Sequence, residues 1–190
     1  MKKSLGISTH AMPTPVWLVG TYDNAGKPNL ATVAWGGVCS SDPASVTVSL
    51  RKARYSYDAI LRRGAFTVNI PSREFVVAAD YAGIVSGKAA DKFAAAGLTA
   101  VKSTLVDAPY VAEFPLIIEC RLLQTVELGV HTQFIGEIVD VKADESVLDA
   151  NGVPDPAKVQ PLIYSPTNRT YYSLGEAVGK GFDIGKQLMK

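Results

Sequence analysis

The segment Gly26-Lys27-Pro28-Asn29-Leu30-Ala31-Thr32-Val33-Ala34-Trp35, followed by Ser45-Val46-Thr47-Val48-Ser49-Leu50-Arg51-Lys52-Ala53-Arg54-Tyr55-Ser56-Tyr57, decides how this chain folds. From Ser45 to Leu50, Val46, Val48 and Leu50 alternate with Ser45, Thr47 and Ser49, the period of two of a strand with one apolar and one polar face. Leu30 to Trp35 reads as a second strand, hairpinned to the buried run Val16 to Tyr22 through the turn Asp23-Asn24-Ala25-Gly26-Lys27. Asp42-Pro43 is a turn. Ser56 is predicted to N-cap a helix over Tyr57 to Arg63, with Gly64 ending it and Arg62 and Arg63 complementing the dipole. Ala65 to Ile70 returns as a strand before Pro71.

Farther along, Arg73 to Ile84 reads as a helix with Phe75, Val76 and Ala79 on its apolar side, and Asp91 to Ala96 as a short helix stopped by Gly97. Leu116 to Leu128 and Thr132 to Val141 are long strands joined through Gly129-Val130-His131. Residues 144 to 161, with Asn151-Gly152 and several prolines, read as a surface excursion. Tyr171 to Lys190 is read as a helix followed by a glycine-containing segment. Many strands with a few short helices point to a mainly β (α+β) protein, a β-barrel with helical decoration rather than a parallel α/β sheet.

With 190 residues, 47% hydrophobic and 19% charged, the chain has the composition of an ordinary globular protein. It is expected to form one domain over 1–190, with 1–12 and 176–190 as peripheral tails. A formal net charge of +1 leaves no global field for nucleic acid or an anionic membrane. Met1-Lys2-Lys3-Ser4 resembles the start of a signal sequence, but Thr9, His10, Pro13, Thr14 and Pro15 interrupt before an apolar region forms, so a cytoplasmic protein is expected. Cys39 and Cys120 make no disulfide framework and are read as buried structural thiols.

The basic junction is the strongest local signal. Arg51, Lys52 and Arg54 precede Ser56, where a helix start offers unpaired N–H groups and a positive dipole end, an arrangement that suits a phosphate. The Trp35 indole, on the neighbouring strand, suits a flat ring. Together they point to a phosphorylated aromatic cofactor, with FMN as the candidate. Other signals carry less. Gly179-Lys180-Gly181-Phe182-Asp183-Ile184-Gly185 has the wrong spacing for a nucleotide loop. Two histidines and two cysteines lack metal-ligand spacing, so no metal is expected. Asp140, Asp144 and Glu145 read as a solvated strand end, and no residue is assigned a catalytic role.

The order of the pieces carries a resemblance. Pro13-Thr14-Pro15, Gly26 to Thr32, Ser49-Leu50-Arg51, Phe66-Thr67-Val68-Asn69-Ile70-Pro71, Ser86-Gly87, Asp91-Lys92-Phe93, Gly129-Val130-His131-Thr132 and Gly136-Glu137 resemble the flavin reductase-like family over residues 13 to 175. That resemblance implies an antiparallel split β-barrel, a homodimer, and FMN bound near the subunit interface. Carried over by position, Asn29, Thr32 and Ala34 follow the ribityl chain and ring edge, and Trp35 packs near the isoalloxazine. Ser49, Leu50, Arg51, Lys52 and Ser56 belong to the phosphate-side junction, with Arg51 and Ser56 holding the phosphate. Ser86, Gly87 and Lys92 close the site from the helical segment, and His131 and Tyr164 border the pocket.

The resemblance implies a flavoprotein that moves reducing equivalents. Two readings stand: an electron carrier that exchanges electrons with a redox partner protein, or a flavin reductase that takes hydride from NAD(P)H. In related reductases a Gly-Asp-His piece serves the nicotinamide side; here Val130 takes the middle place, which favours the carrier. A third reading is a non-redox binding module on the same barrel.

Overall fold

A computed structural model describes residues 1–189; Lys190, the end of the expected C-terminal tail, lies outside the described residues. The strands are β1 (Thr14–Pro15), β2 (Trp17–Tyr22), β3 (Pro28–Val33), β4 (Gly36–Ser41), β5 (Ala44–Arg51), β6 (Ala65–Ile70), β7 (Ala100–Lys102), β8 (Pro109–Val111), β9 (Leu116–Leu128), β10 (His131–Ala143), β11 (Leu162–Ser165) and β12 (Thr170–Ser173). The α-helices are α1 (Ser56–Arg63), α2 (Val76–Ile84), α3 (Lys92–Ala96) and α4 (Pro156–Val159).

Seven strands form one antiparallel sheet in the order β3-β2-β6-β9-β10-β5-β4, flanked by the sheet β1-β11-β12 and the hairpin β7-β8. The sheet curls because both of its faces are apolar over much of its width. Inside, Val19, Val33, Val46, Val48, Phe66, Val68, Ile118 and Phe134 form one core. Leu18, Leu30 and Ile117, one residue out of phase with their inward neighbours, face outward and pack with Ala79, Ala82, Phe93 and Phe114 beneath the helices. Gly136 is required where β9 and β10 slip register, since a Cβ there would lie 2.6 Å from the Phe66 ring.

Several expectations are corrected. Ser56 is not an N-cap: Tyr55 holds that position without a side-chain bond, and Ser56 opens the helix with its hydroxyl turned into the protein. Gly64, at φ 61°, does end α1. Strand β4 escaped the sequence reading because Gly36, Gly37, Ser40 and Ser41 have weak strand preference; pairing with β5, through a register shift between Val38 and Ser40, overrides it. Its Cys39 is exposed, while Cys120 is buried and its thiol pushed up to about 12. No helix begins at Tyr171, because Tyr171 and Tyr172 pair with Tyr164 and Ile163 on β11. Among the described residues the glycine-rich segment beyond contains only the 3-10 turn Ile184–Leu188. Among the described residues no helix is long and apolar enough to cross a membrane.

Phe66 is fully buried at the centre of the inner core. Phe66→Ala is expected to cost about 3–5 kcal/mol in urea unfolding, whereas Leu61→Ala on the exposed face of α1 changes stability by less than about 0.5 kcal/mol.

Candidate functional site

The curled sheet meets itself between β3 and β5. Ala34 and Trp35 carry β3 into β4 there, and the Ser49 N–H donates to the Trp35 carbonyl at 2.9 Å, extending the β4-β5 ladder one step beyond Gly36 and Val48. Beside this closure a cleft of about 540 Å³ opens, walled by Thr32, Ala34 and Trp35 on one side and by Ser49, Leu50 and Arg51 on the other. That volume is in the range that holds a small ligand or cofactor. Helix α2 contributes Asp80 and Gly83, and the β11-β12 hairpin contributes Tyr164 and Tyr171.

A narrower recess of about 70 Å³ adjoins the cleft, sharing Thr32, Leu50, Arg54 and Gly83 with it. Asn29 and Ser56 form its buried floor. The Ser56 hydroxyl oxygen accepts from Asn29 Nδ2 at 2.8 Å and from Thr21 Oγ1 at 3.1 Å, which leaves its own O–H to donate. Gly87 gives the backbone its close approach, since a Cβ there would lie 2.3 Å from Asn29 Oδ1 and 2.5 Å from the Tyr55 ring. Tyr55 is in turn held by donating to Asp23 Oδ2 at 2.8 Å.

Lys92 lines the same recess, 5% exposed. Its ammonium donates to the Leu30 and Ala82 carbonyls at 2.6 and 2.7 Å, so two of its three N–H groups are satisfied by neutral partners. Burial pushes its pKa down to about 8, with the Arg54 charge acting in the same direction. The recess therefore suits an anion by chemistry: it holds a buried cation with no carboxylate partner among the described residues, a free hydroxyl donor, and space that a glycine keeps open. A phosphate fits this donor set, and a metal ion does not.

Thirteen of the fourteen residues expected from the sequence line one of these two spaces. Thr32, Ala34, Trp35, Ser49, Leu50, Arg51, His131 and Tyr164 line the cleft, and Asn29, Ser56, Ser86, Gly87 and Lys92 line the recess; Thr32 and Leu50 belong to both. Lys52 lines neither and turns instead to Glu127, with Nζ 2.7 Å from Oε2. Arg51, expected beside Ser56 at the phosphate, lines the cleft and not the recess, opposite His131 in the β10-β5 register; Arg54 is the arginine of that loop that lines the recess.

Arg54, read as part of the basic junction but not placed among the pocket residues, spans both spaces; nothing local ranked it above Lys52. Asp80, Tyr171 and Arg169 reach the cleft by tertiary packing alone, and no motif marked them. The Tyr171 hydroxyl donates to Asp80 Oδ1 at 2.8 Å, and burial with this bond raises the tyrosine's pKa well above its ordinary value. Tyr164 and Tyr171 pack with ring centroids 5.3 Å apart.

The flavin reductase like domain matches residues 9–175, and the chain belongs to that family. Its fold is the family's split barrel. Flavoredoxin of Desulfovibrio vulgaris (Miyazaki F) is 57% identical, with a TM-score of 0.94 over 98% of this chain and 100% of that one. Flavoredoxin from Methanosarcina acetivorans is 30% identical, with a TM-score of 0.90 over 99% and 100% of the two chains. The high molecular weight rubredoxin of Moorella thermoacetica is 32% identical over 103 residues, which is 53% of this chain and 44% of that protein.

Proposed function

From that family membership, we propose that this chain is an FMN-binding flavoprotein moving reducing equivalents as an electron carrier, like the flavoredoxins it resembles. The observation that carries the proposal is Lys92, a buried ammonium held by two carbonyls at the wall of an anion-shaped recess. In this reading the phosphate enters the recess, where Ser56, Ser86, the Gly87 backbone, Lys92 and Arg54 surround it. Asn29 and Thr32 follow the ribityl chain. The ring lies in the cleft along Ala34 and Trp35, with Ser49, Leu50 and Arg51 on the facing wall and His131 and Tyr164 at the border.

Energetics support the assignment. A hydrogen bond to a charged group contributes about 1.5–3 kcal/mol, so a few reach the roughly 8 kcal/mol of micromolar binding before ordering costs. Packing against Trp35 adds about 0.5–1.5 kcal/mol beyond area burial. Bound FMN supplies hydride and single-electron chemistry; the protein supplies orientation and a dry, charged setting. We also propose that the chain pairs as a homodimer, supported by Val38, Leu123, Leu128 and Val130, which stand exposed on β4, β9 and the β9-β10 turn.

The test is a visible spectrum of the purified, desalted protein, before and after NADH under nitrogen. A carrier is yellow and stays so with NADH alone. Bleaching by NADH supports the reductase reading instead, and a colourless protein that takes up no added FMN overturns the proposal. Lys92→Met is expected to weaken FMN about 10- to 100-fold in a fluorescence titration without abolishing binding; unchanged affinity removes Lys92 from the site.

Affinity also depends on pH. Free Lys92 loses its proton near pH 8, and a bound phosphate dianion raises that pKa. Wild-type affinity is therefore highest between about pH 6, where phosphate takes its second charge, and pH 8, and falls above pH 8. Titrations at pH 7 and 9.5 check this, and the Lys92→Met profile is flat across that interval.

A further inference from the structure

More cations line the cleft than a flavin phosphate requires. Arg51, Arg54 and Arg169 all line it and are exposed, and among the described residues none has a carboxylate within ion-pair distance. Among the described residues Asp80 is the sole carboxylate in the lining, and Tyr171 already donates to it. In the reading above, Arg54 and Lys92 match the two charges of the phosphate. Arg51 and Arg169 then remain, on two different elements of the lining: one ends β5 beside His131, the other stands in the β11-β12 turn.

Arg169 is also held in an unusual backbone conformation. Its φ of 55° is left-handed, a region that Gly or Asn adopts more readily than Arg. Asn168, one residue earlier, would suit that position better, yet the arginine occupies it. A strained, exposed and unpaired cation at the lip of a cofactor cleft is a feature of recognition more than of folding.

We infer that the rim formed by Arg51, His131 and Arg169 is the docking surface for a small acidic electron-carrier protein. The inference rests on the flavin-carrier reading and names its partner. Charge complementarity selects the class: the chain's net charge of +1 provides no general attraction, so the field is local to this mouth. Solvated guanidinium groups spread over two elements suit a patch of carboxylates on a protein surface. A compact small anion is served by the recess instead.

The experiment measures binding, not electron flow, so it stands apart from the redox assays. FMN-loaded protein is titrated by calorimetry with an oxidised, acidic rubredoxin, with an acidic [2Fe–2S] ferredoxin, and with basic cytochrome c as the control. At least one acidic carrier is expected to bind, losing about tenfold in affinity between 20 and 200 mM salt, while cytochrome c does not bind. Arg169→Gly suits the positive φ and keeps the turn; it is expected to weaken the acidic carrier about threefold to fivefold, and Arg169→Lys to restore most of the loss.

FMN affinity is measured in the same variants, which separates a loss of carrier binding from a loss of cofactor binding. Failure of the wild type to take up FMN removes the flavoprotein reading itself. With FMN bound, three results overturn the docking surface: neither acidic carrier binds, or Arg169→Gly leaves their affinity unchanged, or Arg169→Gly weakens FMN about tenfold or more and so places Arg169 in the flavin site.

Discussion

The curled sheet comes back on itself where β3 runs through Ala34 and Trp35 into β4, and the site exists because β3 and β5 line the cleft there without pairing. Both faces of β2, β3 and β9 are apolar, so the sheet must bury an inner core and also accept helices outside. Curling satisfies the inner face, and α2 and α3 satisfy the outer one. Between β3 and β5 the strands do not continue the ladder. Polar and aromatic groups that would otherwise be consumed by sheet packing, Trp35 and the Ser49 hydroxyl among them, remain available to a ligand.

The recess depends on the same geometry. Asn29 on β3 and Ser56 at the start of α1 are brought within 2.8 Å, and both are removed from water. Lys92, from a third element, fills its neighbourhood with positive charge while bonding only to carbonyls. Burying an ammonium this way opposes ionisation, which explains its lowered pKa. Binding energy is thereby reserved for an anion: the desolvation has already occurred during folding, and the ligand gains an electrostatic partner in a setting of low dielectric.

Much of this was legible in the sequence because it is local. Alternation in Ser45 to Leu50, the Asp23 to Lys27 turn and Gly64 after α1 each declare themselves within a few residues. Strand β4 did not, since its Gly and Ser residues take strand geometry only by pairing with β5. Lys52 and Arg54 are two cations in one loop, and what separates them is Glu127 on a distant strand. Ser56 looked like a helix cap because capping is its commonest local use; its true partners, Thr21 and Asn29, are 35 and 27 residues away. The β11-β12 hairpin reaches the cleft through pairing with β1 some 150 residues earlier, a contact no periodicity encodes.

In the proposed function a phosphate-specific recess anchors a flavin in the split of the barrel. Parallel equilibrium titrations with FMN and with riboflavin, which lacks only the phosphate, test it most directly. FMN is expected to bind at micromolar concentration or tighter, and riboflavin at least about 100-fold weaker. Equal affinities for the two, or binding of neither, would contradict it.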